Sequence, residues 1–164
     1  MIAGAEFGIT PYGTETMHVL RAEKGFVIVG QDTDGSVTPS DLGMNWIVNN
    51  RKPFSFLGKR SLSRSDTNRK NRKQWVGLQP IDPKAKLPEG GQLVDDATQP
   101  LPMKMLGHVT SSYYSPTLSS TIALGFVTNG FNRMGDTIYC PLANGNVVAA
   151  KIVSSVFFDS DLSF

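Results

Sequence analysis

At 164 residues, with 40% hydrophobic residues and a formal net charge of +2, the chain is long enough for one ordinary core, or for one small domain plus part of another. Its apolar content excludes general disorder. No apolar run approaches the roughly 20 residues of a membrane-spanning helix, so no membrane association is expected. The lone cysteine, Cys140, excludes an internal disulfide. With an N-terminus that lacks a signal-type pattern, it points to a cytoplasmic protein.

In chain order, turn signals at Pro11 and Gly13 precede a predicted helix through TETMHVLRAEKG, with Met17, Leu20 and Val19 on its apolar side and Gly25 as its stop. FVIVG, Phe26 to Gly30, is a predicted short buried strand. QDTDGSVTP is a loop with its tightest turn at Asp34-Gly35. There, Asp32 and Asp34 are expected to bond local backbone. SDLGMNWIV is expected to open with a helical turn capped by Ser40 and to extend from Trp46 to Val48. FLGKRSL reads as another short helix.

RKPFSFLGKRSLSRSDTNRKNRK, Arg51 to Lys73, carries nine of the sixteen Lys and Arg residues and a single acid, Asp66. Such density attracts phosphates, but single-strand readers interleave aromatics with their cations, and SRSDTNRKNRK has none. Arg64, Arg69, Lys70, Arg72 and Lys73 are therefore read as serving solubility or docking to a partner subunit, with no nucleic-acid binding expected.

Beyond this stretch the texture changes. QWVGLQP, GGQLVDD, MLGHVTSS, STIALGFV, DTIYCPLA and NVVAAKIVSSVFF are short β-rich segments separated by turns, with Asn144-Gly145 the clearest hairpin. The resulting expectation is an α+β, mostly β chain. An irregular preface is expected to give way, at a boundary near Ser65 to Arg72, to a small antiparallel barrel or sandwich. His18, His108 and Cys140 lack metal-ligand spacing, so no metal site is expected. No catalytic motif is present, and Cys140 and His108 read as strand residues.

GHVTSSYYSPTLSSTIALGFV carries Gly107, Thr110, Ser111, Ser115, Pro116, Thr117, Leu118, Ile122, Ala123 and Leu124 in the pattern of the C-terminal barrel of aminomethyltransferases, the family of the glycine-cleavage T-protein. LRAEKGF from Leu20 resembles that family's Leu-Arg-x-Glu helix, and TPSDLGMNWIV and FLGKRSL match it in type and order. PYGTETMHVLRAEKGFVIVGQDTDG, FLGKRSLSR, RKQWVGL and LPEGGQLV resemble the C-terminal region of the alpha subunits of heterotetrameric sarcosine oxidases. Met17 stands where T-proteins carry an arginine, and Phe26 where some carry a tyrosine.

The resemblance implies the trailing part of a folate-binding domain at 1–70 and the family's C-terminal β-barrel at 71–164. It also implies that the chain is a C-terminal fragment of an enzyme that oxidises sarcosine to glycine at a flavin. That enzyme passes the one-carbon unit to tetrahydrofolate and forms hydrogen peroxide. Tetrahydrofolate, NAD, FAD and FMN would belong to the whole enzyme, and the fragment alone is expected to be inactive. The implied partners are the remaining alpha-subunit domains and the beta, gamma and delta subunits. The implied folate-side residues are Met17, Arg21, Phe26, Tyr113 and Tyr114, with none catalytic. A glycine-cleavage-type aminomethyltransferase, a dimethylglycine-oxidising relative and a non-catalytic module with a basic docking segment are the alternatives.

Overall fold

The computed structural model describes residues 2–49 and 51–159. The last five positions of the expected 71–164 unit lie outside the described residues. Six strands dominate: β1 (Lys73–Pro80), β2 (Gln92–Leu93), β3 (Gly107–Ser115), β4 (Ser120–Thr128), β5 (Thr137–Pro141) and β6 (Val147–Val153). They form one sheet in the order β2-β3-β4-β1-β6-β5, every pair antiparallel. Just beyond β2, the N–H of Val94 donates to the Tyr139 carbonyl at 2.9 Å, and the N–H of Tyr139 donates back at 3.0 Å. The two ends of the sheet thereby join, and the sheet becomes a barrel.

Alternation along the strands decides what fills it. Val76 and Leu78 of β1, Val109 of β3, Ala123 and Val127 of β4, Ile138 and Cys140 of β5 and Ala150 and Ile152 of β6 form one buried cluster with Leu87 and Leu93. Each fully buried Val, Leu or Ile contributes on the order of 1.5–3 kcal/mol by leaving water. At the expected Asn144-Gly145 turn, Gly145 takes φ +83°, which costs glycine no Cβ clash. The Leu142 N–H bonds the Asn146 carbonyl at 2.8 Å to close the β5–β6 hairpin.

The outward residues of β1 and β4 are buried too. Trp75, Ile122, Leu124 and Phe126 form a second cluster with Ala22, flanked by Val27, Val37, Leu42 and Phe157. This second layer explains why the consecutive residues 75–78 are all buried: β1 is a strand covered on both faces. The cover comes from helix α1 (Thr14–Glu23), a 3-10 helix at Pro39–Leu42, and the tail after β6, whose Phe157 and Phe158 N–H groups bond the Glu23 carbonyl. A second short helix, α2, spans Lys59–Leu62. The molecule is mixed but mostly β, the expected class.

Several local expectations differ from the structure. Helix α1 stops at Gly25 (φ +68°) as predicted, but its buried end is Arg21, Ala22 and Glu23, while Met17 and Leu20 face outward. Phe26–Gly30 is no buried strand: Phe26 and Val29 are exposed, and the segment makes only an isolated bridge from Val29 to Thr33. Apolar content made it look like a strand, but the segment pairs with none of the six strands. The cap of the Pro39–Leu42 turn is Thr38, not Ser40. Asp41 accepts from both the Thr38 N–H and its hydroxyl at 2.8 Å, a reciprocal capping box. Trp46 lies in a 3-10 turn, Asn45–Ile47, not an extended segment.

Arg72 departs from its reading as a solubility or docking residue. Its side chain is 12% exposed and makes a two-point contact with Asp41, Nε to Oδ1 at 2.7 Å and Nη2 to Oδ2 at 2.6 Å. It holds the strand entry to the Pro39–Leu42 turn. Arg64, Arg69, Lys70 and Lys73 are exposed.

Hydrogen exchange is expected to be slowest at the amides of Val76, Leu78 and Leu124, which lie on strands paired on both sides and buried on both faces. It should be fastest from Phe54 to Ser63, where the chain is mostly exposed. Mass-spectrometric exchange with equal protection in the two regions would contradict this architecture.

Candidate functional site

The densest polar cluster lies where α1 meets β3. Arg21 enters it because the last turn of α1 packs against β3 and β4. Asp32 enters it from the turn after Val29. Thr110 and Ser111 enter through a register shift in β3 between Val109 and Ser111. A bulge of this kind breaks the two-residue alternation. Neighbouring hydroxyls, from Thr110 at 2.6 Å and Ser111 at 2.8 Å, consequently donate to the same oxygen, Asp32 Oδ1.

Asp32 Oδ2 accepts from Arg21 Nη1 at 2.5 Å and from the Ile28 N–H at 2.9 Å. Arg21 Nη2 donates to Ser111 Oγ at 2.6 Å, and Nη1 also reaches the Phe26 carbonyl at 3.2 Å. The ion pair is almost sealed, with side chains 7% and 0% exposed. Glu23, on the same helix, accepts from the Ser115 hydroxyl at 2.6 Å. Asp32 is therefore committed to protein donors through both oxygens, and Glu23 through Oε1.

Around this pair stands a half-buried aromatic surface. The Arg21 guanidinium carbon lies 5.7 Å from the Tyr113 ring centre, and His18 stacks on that ring at 6.2 Å. Gln31 Nε2 donates to Tyr113 Oη and to Ser111 Oγ, each at 3.3 Å. His18 Nδ1 and Arg21 Nε are buried atoms without a hydrogen-bond partner among the described residues.

Of the residues expected on the folate side, Arg21 and Tyr113 are thus brought together. Tyr114 is half-exposed on the next position of β3, and Met17 and Phe26 stand at the surface. Sequence reading missed His18, Gln31 and the long-range role of Asp32. Asp34 does what was expected of it: it accepts from the Ser36 N–H and hydroxyl, and those bonds hold its carboxyl below the ordinary value. Cys140 is buried in β5, and burial pushes its thiol pKa up, which suits a packing residue and not a nucleophile. Among the described residues, no group of His, Cys, Asp or Glu has the arrangement of a metal site, and no helix is long and apolar enough to cross a membrane.

The family model described as the glycine cleavage T-protein C-terminal barrel domain matches residues 73–159, more than half of the chain. The chain belongs to the glycine cleavage T-protein family. A second model, the GCVT N-terminal domain, matches residues 1–52 of this T-protein-family chain. The sarcosine oxidase subunit alpha of Corynebacterium sp. (strain P-1) is 51% identical over 97% of the chain, and that of Rhizobium meliloti is 39% identical over 96%. The chain spans 16% of the length of each of these relatives. An aminomethyltransferase of Synechococcus sp. is 30% identical over 92% of the chain, which covers 38% of that protein. The crystal structure of the glycine cleavage system aminomethyltransferase T from Bartonella henselae shares the fold. Its TM-score is 0.71 at 24% identity, over 86% of this chain and 37% of that one.

Proposed function

We propose that this chain is the C-terminal part of a sarcosine oxidase alpha subunit, and that it forms one wall of the cavity in which tetrahydrofolate receives the one-carbon unit. The carrying observation is the 51% identity over 97% of the chain to such a subunit, against 30% to an aminomethyltransferase. On this reading residues 1–70 complete a folate-binding domain built mainly elsewhere, and 71–164 are the barrel that supports it. The whole enzyme converts sarcosine to glycine with formation of hydrogen peroxide. FAD, FMN and NAD bind to other parts of the enzyme, whose beta, gamma and delta subunits assemble around the alpha subunit in the cytoplasm.

The residues present suit a wall more than a complete site. Met17, Phe26 and Tyr114 offer exposed apolar and aromatic surface, and Tyr113 a half-buried ring, fitted to the flat face of a pteridine or benzoyl group. Tetrahydrofolate, when bound, supplies the nitrogens that accept the one-carbon unit. Arg21 serves by position: its guanidinium is taken up by Asp32 and Ser111, so it fixes the Tyr113 ring and the end of α1. Asp32 has both carboxylate oxygens taken up by protein donors.

The test is calorimetry with reduced tetrahydrofolate. Ligand sites bury roughly 70–90% of a small molecule, and one wall encloses far less. The 164-residue chain should bind at least about a hundredfold more weakly than the same chain joined to the preceding region of a sarcosine oxidase alpha subunit, a difference of about 2.7 kcal/mol. Low-micromolar binding by the 164-residue chain alone would sink the reading.

A further inference from the structure

We propose that the cleft between the 30–37 turn and the start of β3 is a binding site for a small oxyanion, a carboxylate or a phosphate, held by Lys73 and Lys104 around the His108 ring. This does not rest on the folate reading, although the cleft adjoins the Arg21–Asp32 cluster through Gln31 and Asp32. The cleft has a volume of about 640 Å³, within the range of small-molecule sites. It lies where three stretches meet: the turn carrying Asp34, the linker entering β1 at Lys73, and the segment from Lys104 to His108.

His108 stacks on Phe126 with ring centres 6.0 Å apart and planes inclined at 27°. Its nitrogens have no protein hydrogen-bond partner among the described residues. Burial, and then the charge of Lys73, hold its pKa below 6.5. The ring is therefore neutral at pH 7 and presents one N–H donor and one acceptor.

The surrounding charge favours an anion. Arg21 is paired with Asp32, Arg72 with Asp41, and Arg69 with Asp66 at 3.5 Å. Lys73 and Lys104 have no carboxylate partner among the described residues. Asp34 is the one lining acid without a cation, and its Oδ1 already accepts two donors from Ser36. Two free ammoniums against one carboxylate leave the cleft positive. The buried Phe126, with Met105 and Leu106 beside it, gives it an apolar floor, so the matching ligand carries a short apolar body behind its oxyanion.

The experiment follows the Cε1–H resonance of His108 in the 164-residue chain, with His18 as internal reference. Inorganic phosphate and glutarate are titrated separately, with sodium chloride at matched ionic strength as control. A saturable shift of His108 and not of His18 is expected. Binding should weaken at least about tenfold in Lys73→Ala/Lys104→Ala, which loses two charged donors, and tighten in Asp34→Asn. Saturation by phosphate alone or by glutarate alone supports the site and names its anion. No saturation by either, the same shift with sodium chloride, unchanged binding in the double variant, or weaker binding in Asp34→Asn would overturn it. Both lysine side chains are exposed and unpaired, so the double variant should keep the parent melting temperature, and that measurement accompanies the titration.

Discussion

Arg21→Ala is expected to destabilise the fold by about 3–5 kcal/mol, the usual cost of removing one partner from a buried ion pair. The reason lies with the residue left behind. Asp32 has a fully buried side chain and accepts four hydrogen bonds, from Arg21, Ile28, Thr110 and Ser111. Without Arg21 its charge keeps three neutral donors and loses its counter-ion in a low-dielectric setting. At roughly 2–4 °C per kcal/mol for a chain of this size, the melting temperature should fall by on the order of 10 °C. Arg21→Lys should recover little, because one ammonium cannot serve Asp32 and Ser111 with the fork that Nη1 and Nη2 provide. Arg21→Ala/Asp32→Ala should cost less than the sum of its single variants, since neither charge is then stranded. Urea unfolding that shows a loss below about 1 kcal/mol for Arg21→Ala would remove this pair from the account of stability.

Arg72→Ala should cost about 3 kcal/mol by the same logic, and its signature is acid dependence. Burial pushes the Asp41 carboxyl up, but the bonds from Arg72 and Thr38 outweigh burial and bring its pKa below 3.8. A carboxyl whose folded pKa is depressed stabilises the protein above its unfolded pKa. That stabilisation disappears as pH falls through the folded value. The parent should therefore lose stability between about pH 4 and lower pH, and Arg72→Ala should lose less over the same interval, because its Asp41 has less of a shift to surrender. Arg72 also donates to the Ser36 carbonyl at 2.6 Å and the Asp66 carbonyl at 3.1 Å, so part of its effect is independent of pH. Identical acid limbs in parent and variant would count against the Asp41 assignment.

The barrel was legible in the sequence because its strands are bounded by turn residues and rich in β-branched and aromatic residues. β3 and β4, with the Pro116 turn between them, lie where GHVTSSYYSPTLSSTIALGFV placed them. Phe26–Gly30 was misread because an apolar run states only that water is unfavourable; it cannot say whether a strand edge is available. Met17 and Leu20 were assigned inward by ordinary amphipathic reasoning, yet the helix buries Arg21 and Glu23, whose cost is offset by partners 11 and 92 residues away. Half of the candidate site was visible as Arg21 and Tyr113. The other half depends on a register shift in β3 and on Asp32 reaching beyond its own turn, and neither leaves a mark in local sequence.

The closure between Val94 and Tyr139 has a consequence for how the barrel fails. β3 and β4 are bonded to each other through nine-residue strands, whereas the seam between the sheet's ends rests on one reciprocal residue pair. Opening at that seam breaks only two backbone hydrogen bonds and leaves most of the sheet intact, but it bares the buried Leu93, Val94, Ile138 and Cys140 on either side. It also bares two unpaired strand edges at once, each a template for another chain. Two molecules opened in this way can close on one another, each β5 edge pairing with the other's β2 edge. A route to dimers paired through this shortest junction is therefore gated by the cost of baring Leu93, Ile138 and Cys140, and not by two backbone bonds alone.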